Sequence, residues 1–197
     1  KNENQKMYPA STTKILTAIL TIENCNLNDV VTVPYGAISS ITSGYSVAAL
    51  QAGEQLTVEQ LLQVMLVHSA NDAANVLAFH VSGSIENFAE LMNNKVSELG
   101  LTNTHFTNPS GMHDENHYTT AFELALITGY ALKNPTFREI VSTKKTIIPL
   151  NNGEGSRVLV NHNKMLSYYD GAIGVKTGYT KKTGRCLVSA AERNGTT

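Results

Sequence analysis

Apolar spacing changes character partway along this chain, and that change limits what the chain can fold into. Between Ser11 and Val141 most apolar residues recur at helical intervals. The run Ile15, Leu16, Ala18, Ile19, Leu20 and Ile22 predicts a helix over Ser11–Asn24 buried on most of its surface, with Pro9 placed to start it. Thr57 followed by Gln60 predicts a capped helix reaching about Val67. Further helices are expected over Ala70–Val81, over Ile85–Leu99 with Gly100 closing it, and from a Thr120 cap to about Leu132. The stretch Val30–Ala52, rich in Val, Ser, Thr and Gly, reads as short strands and loops, and Thr104–Tyr118 as a structured loop. Beyond Val141 the pattern differs. Thr143–Leu150, Ser156–Val160, Ala172–Thr177 and Arg185–Ala191 read as strands separated by Gly or Asn turns. Helices gathered ahead of strands, rather than alternating with them, predict the α+β class, with helices packed on an antiparallel sheet.

Composition removes several functions. A chain of 197 residues with 42% hydrophobic and 16% charged content can bury a sizeable core. Fifteen basic against sixteen acidic residues leave a net charge of -1, which offers nucleic acid no concentrated basic face. No run approaches the ~18 apolar residues of a membrane span. Cys25 and Cys186 lack the spacing of a disulfide framework or a metal site and are expected as buried free thiols. The polar start carries no signal peptide and no initiating Met. The end, Asn194-Gly195-Thr196-Thr197, carries a hairpin signal whose partner strand would lie just beyond it. The expectation is a piece cut from a longer protein at one or both ends.

Three short patterns carry candidate chemistry: Ser11-Thr12-Thr13-Lys14, Ser69-Ala70-Asn71 and Lys176-Thr177-Gly178. Two have decoys. Ser11 and Lys14 start a predicted helix, where residues i and i+3 share a face and a hydroxyl can meet an amine. Ser142-Thr143-Lys144-Lys145 repeats the pattern in a strand-like run, where Ser142 and Lys145 would point to opposite faces. Lys176-Thr177-Gly178 ends the apolar run Ala172–Val175, whereas Lys182-Thr183-Gly184 falls in a polar turn, so Lys176 is the better candidate. Ser69 alone reads as the N-cap of the helix after it, a common use of serine.

In order along the chain, these patterns resemble the triple motif of the penicillin-recognising serine enzymes. The longer strings Tyr8–Lys14, Val67–Ala74 and Gly174–Thr180, with Asn108–Thr120 between them, resemble the D-alanyl-D-alanine carboxypeptidases, the low-molecular-weight penicillin-binding proteins. The resemblance covers residues 8–192. It implies a β-lactamase/DD-peptidase-like α+β fold: one catalytic domain over 1–197, with a helix-rich part at about 53–141 between sheet-associated segments 1–52 and 142–197. Outer strands of the sheet are expected to be missing from this piece.

The resemblance also implies roles. Ser11 would be acylated, with Lys14 as its base; Lys176 would be the neighbouring cation that lowers the Lys14 pKa. Ser69 would pass a proton to the departing D-alanine. Asn71 would hold the substrate amide and help fix Lys14. Thr177 with Lys176 would bind the terminal carboxylate, and Gly178, Tyr179 and Thr180 would line the substrate. Backbone N–H groups of Ser11 and Tyr179 would form the oxyanion hole. The implied partners are peptidoglycan pentapeptides and β-lactam antibiotics, outside the cell membrane, with membrane contact only through segments absent from this chain; no cofactor or metal is implied. A basic residue that relatives use on a later strand to hold the substrate carboxylate has no counterpart before Thr197.

Competing readings are weaker. A fast β-lactamase needs a base for deacylation, and the Thr102–Tyr118 loop offers Asp114 and Glu115 without a Glu-x-x-Leu-Asn pattern. His113 and His117 lie in a Pro- and Gly-containing loop and predict loop-shaping hydrogen bonds rather than a zinc site. A β-lactam sensor or wall-binding module could keep every motif residue, and turnover of a D-alanyl-D-alanine peptide would tell it apart. His68 is expected to be a partly buried structural residue.

Overall fold

The computed structural model describes residues 1–39, 41, 44–150 and 155–197; residues 40, 42 and 43 of the predicted Val30–Ala52 stretch lie outside them. Ala10–Thr13 form a 3-10 turn that runs directly into helix α1 (Lys14–Asn24). Ile15, Leu16, Ala18, Ile19 and Leu20 are all buried, as are Lys14, Thr17 and Thr21, so α1 runs through the core with nearly every side covered.

Two short elements follow, β1 (Val30–Thr32) and α2 (Tyr35–Ser39), then β2 (Gln55–Thr57), which pairs antiparallel with β1. The predicted cap at Thr57 is present on α3 (Val58–Val67): its hydroxyl accepts from the Gln60 N–H, and the Gln60 side chain accepts from the Thr57 N–H. Such a reciprocal cap is worth about 1 kcal/mol. Helix α4 (Asn71–Ser82) stops at Gly83, which takes φ 82, and Ser84 caps α5 (Ile85–Glu98). The Thr120 hydroxyl caps α6 (Ala121–Ala131) as predicted.

Helix α7 (Pro135–Ser142) was not legible as a helix in the sequence, although Asn134 caps it and Pro135 opens it. It corrects the reading of the second Ser-x-x-Lys. Ser142 ends a helix and bonds back to the Glu139 carbonyl, while Lys145 opens the strand that follows. The two residues belong to different elements, not to one strand.

The strand-rich end contains β3 (Lys145–Pro149), β4 (Ser156–Val160), the short helix α8 (Met165–Tyr168), β5 (Ala172–Thr180) and β6 (Gly184–Ala191). Strand β3 pairs with β4, and β5 with β6, both antiparallel. The fold is α+β. Among the described residues, however, the strands form three two-stranded ladders and not one sheet. Each ladder rests on helices instead: β3 and β4 on α3, and β5 on α7 and α8. Ile148 and Leu159 are buried on the helix side of their hairpin, while Ile147 and Val158 are exposed on the other. The buried apolar residues form one cluster, from Val31 and Leu56 through α1 and α3–α7 to Ile148, Leu159 and Val175.

Asn194 and Gly195 take φ 51 and 75 between Arg193 and Thr196, which exchange both backbone hydrogen bonds, so the Asn-Gly turn forms as its sequence predicts. Both cysteines are free, as expected, but half-buried rather than buried. Cys25 sits at the end of α1, and Cys186 lines the cavity described below. No described helix is long and apolar enough to cross a membrane.

Candidate active site

In the 3-10 turn, residues i and i+3 nearly eclipse, so Ser11 presents its hydroxyl to the first residue of α1. Lys14 Nζ donates to Ser11 Oγ at 2.9 Å, to Asn71 Oδ1 at 2.6 Å and to the Ser110 carbonyl at 2.8 Å. Three acceptors match the three protons of an ammonium group. Lys14 is 0% exposed. Burial holds its pKa well below the ordinary lysine value, and the nearby charge of Lys176 pushes it down further, against an opposing pull from Asp72.

Lys176 comes from the middle of β5 and is 2% exposed. Its Nζ donates to Ser69 Oγ at 2.8 Å and to the Thr177 carbonyl at 3.1 Å. Burial pushes its pKa down to about 7. Ser69 is therefore not a helix cap. The N-cap position of α4 is Ala70, without a side-chain bond, and Ser69 sits between α3 and α4 at φ 64. A left-handed serine costs of order 1 kcal/mol. Here it turns the hydroxyl toward Lys176 rather than toward the helix.

The next residues of α4 fix the rim. The Asn71 N–H donates to the Ser46 carbonyl, and Asp72 accepts from the N–H groups of Ala48 and Leu50. From the other side, Arg157 on β4 donates to the Ala48 carbonyl and pairs with Glu54. The segment that carries Ser46 is thus held by a carboxylate at its amides and a guanidinium at its carbonyls.

The Thr104–Tyr118 loop supports the turn that carries Ser11. Thr17 donates to the Pro109 carbonyl, and Gly111, at φ 83, lies so close that a Cβ there would sit 1.9 Å from the Ala10 carbonyl oxygen. His117 is buried, and burial pushes its pKa down to about 3. Its Nδ1 accepts from the Thr107 N–H, so the neutral ring carries its proton on Nε2 and donates to Thr13 Oγ1 at 2.8 Å. Both nitrogens are used, and the described residues hold no cluster of three metal-ligating side chains. The loop-shaping role expected for His117 is the one its contacts show.

Strand β5 meets the Ser11 turn at Gly178, where a Cβ would lie 3.0 Å from the Ser11 nitrogen and 3.1 Å from the Pro9 carbonyl oxygen. Between these elements opens a cavity of about 680 Å³. Ser11, Ser69, Asn71, Thr177, Gly178 and Tyr179 line it, with Lys14 and Lys176 bonded to the lining hydroxyls. Eight of the nine sequence-predicted residues meet there. Thr180 does not: it ends β5, and its hydroxyl bonds to Thr183 and shapes the β5–β6 turn.

Sequence reasoning missed Ser46, Asp72, the Ser110 carbonyl, His162 and Asn163. Asp72 stood beside a recognised motif. The others act through backbone atoms or sit in short irregular segments that carry no spacing signal. His68 is half-buried as expected, and its ring faces that of His162 at 5.7 Å.

Solved structures share this architecture. The chain matches the crystal structure of the Streptomyces K15 DD-transpeptidase with a TM-score of 0.92 and 36% identity, over 99% of this chain and 79% of that one. A penicillin-binding protein homolog from Mycobacterium tuberculosis gives 0.90 and 34%, over 99% of this chain and 73% of that one. Fold and site thus define a protein of the DD-peptidase class.

The family model described as D-alanyl-D-alanine carboxypeptidase matches residues 1–197, and the chain belongs to that family. It is 36% identical to the carboxypeptidase DacF of Bacillus subtilis over 98% of its own length, and 39% identical to the Streptomyces sp. K15 carboxypeptidase over 100% of it. The chain spans 50% of the Bacillus protein and 72% of the Streptomyces one.

Proposed function

We propose that the protein is a serine-type D-alanyl-D-alanine carboxypeptidase that removes the terminal D-alanine of peptidoglycan stem pentapeptides through an acyl-enzyme on Ser11, outside the cell membrane. The observation that carries this reading is the 2.9 Å bond between Ser11 Oγ and a fully buried lysine whose pKa is depressed. A serine hydroxyl needs a neighbouring base to become a nucleophile. A neutral Lys14 supplies one, because deprotonation turns its nitrogen from donor to acceptor toward Ser11.

Ser11 attacks the carbonyl between the two D-alanines, and its proton passes to Lys14. Ser69, bonded to Lys176, relays a proton to the departing D-alanine nitrogen. Lys176 and Thr177 take the terminal carboxylate, Asn71 holds the substrate amide, and the Ser11 and Tyr179 N–H groups take the oxyanion. Water then releases the acyl group. A β-lactam acylates the same serine and leaves slowly.

Mass spectrometry of the chain after incubation with benzylpenicillin tests the reading. One adduct per chain, mapping to Ser11 and absent in Ser11→Ala, is expected. An unmodified Ser11 in folded protein would remove it from the nucleophile role.

A further inference from the structure

Charged side chains around the cavity are of one sign. Above the buried lysines, Arg185 of β6 and Lys164 just ahead of α8 line it, both exposed, and no acidic side chain is among its described lining residues. Neither cation has a salt bridge or side-chain hydrogen bond among the described residues, so both heads are free to meet a ligand in the cavity. Two unengaged cations that face one cavity from β6 and from the start of α8, with no acidic side chain among its described lining residues, give that cavity a preference for anions.

The ladder fixes where Arg185 stands. Tyr179 pairs with Arg185, and Thr177 with Leu187. Cross-strand partners share a face, so Arg185 rises on the same side as Thr177 and Tyr179, and all four line the cavity. Across from β6, Asn163 adds a third feature. It is 2% exposed and lines the same cavity; its Oδ1 accepts from the Met165 N–H, but its Nδ2 has no partner among the described residues. A buried amide donor left unpaired costs about 1–3 kcal/mol, so an acceptor oxygen on this wall would be favoured.

We propose that Arg185 and Lys164, with Asn163 behind them, select donors that carry a second carboxylate on the acyl side of the scissile bond. The inference rests on the hydrolase reading above. With the terminal carboxylate at Thr177 and the scissile carbonyl at Tyr179, the acyl portion continues past Tyr179 toward its cross-strand partner. Arg185 stands one strand spacing, about 4.8 Å, from Tyr179, and its long side chain can reach the first residues of the acyl portion from there. A guanidinium meets a carboxylate there through charge-assisted hydrogen bonds; a carboxamide cannot match that, and an ammonium is repelled.

Two synthetic pentapeptides ending in D-alanyl-D-alanine test this. They are identical except that the residue before the D-alanines bears a free carboxylate or its carboxamide. Binding is read by calorimetry on the Ser11→Ala chain, which cannot be acylated. The acid is expected to bind about tenfold tighter. Added salt should shrink the advantage, and joint substitution Arg185→Gln and Lys164→Gln should bring the two peptides to equal affinity. Equal affinity on the Ser11→Ala chain, a preference that survives the joint substitution, or no binding of either peptide overturns the proposal. A benzylpenicillin adduct on Ser11 in the unaltered chain keeps the hydrolase reading when the charge preference fails. A missing adduct counts against the hydrolase reading itself.

Discussion

Lys14 and Lys176 are chemically identical side chains held to opposite tasks. In the proposed mechanism Lys14 has to lose its proton to take one from Ser11, while Lys176 has to keep its own to hold a carboxylate and to press on Lys14. Burial lowers both, but Lys14 also feels the charge of Lys176. The rate is therefore expected to rise with pH as Lys14 deprotonates, and to fall as Lys176 deprotonates near its value of about 7. The limbs belong to the coupled pair rather than to either amine alone. A profile of kcat/KM against pH checks the assignment. In Lys176→Arg, whose guanidinium stays charged, the falling limb near neutrality should move to much higher pH; a falling limb that stays in place would assign it to another group.

At the scale of elements, the site depends on how closely β5 approaches the nucleophile turn. Gly178→Ala places a methyl 3.0 Å from the Ser11 nitrogen, and the backbone atoms it meets cannot rotate away. The turn and strand must separate by a few tenths of an ångström, which spoils donors aimed at a developing oxyanion. Penicillin acylation is expected to slow by about 10²-fold, the usual cost of losing one such donor. Stopped-flow acylation kinetics beside a thermal melt would separate that loss from unfolding; acylation at the unaltered rate would remove Gly178 from this role.

The same scale shows what could be read from the sequence. Helices with strong caps were legible: Thr57 with Gln60 and Thr120 were named for the bonds they make. The Ser-x-x-Lys pair was legible because three residues of helix bring a hydroxyl to an amine. Helix α7 was missed because its eight residues are too few to show a period, and α8 has only four. Ser69 taken alone read as a cap, because nothing in its neighbours reveals a left-handed φ, and only the resemblance made it a site residue. Thr180 was taken along with its motif, although its hydroxyl is spent on the β5–β6 turn. The single antiparallel sheet expected from four strand-like runs was a statement about which strands neighbour which. Local pattern carries no such information.

For the whole molecule, a buried cationic pair is a cost. Lys176 falls from 10.5 to about 7 on folding, so between those values the unfolded chain holds a proton that the folded chain has given up. Stability therefore rises with pH through that window, and the full cost is present below pH 7. Lys176→Met is expected to raise the melting temperature by a few degrees, about 1–2 kcal/mol, at pH 6. The gain should shrink as pH approaches 10. Calorimetric melts of both chains at several pH values check this; a gain that does not vary with pH would place the buried charge elsewhere.

The order in which the site's parts are synthesised gives Lys176 another meaning. Ser11 and Lys14, the proposed nucleophile and base, precede in the chain Lys176 of β5, the cation that presses on the base. Until that hairpin docks, Lys14 lacks its cationic neighbour and lies nearer ordinary basicity. Ser11 is then closer to an ordinary alcohol. During synthesis the proposed nucleophile and its base therefore exist before the residue that would arm them.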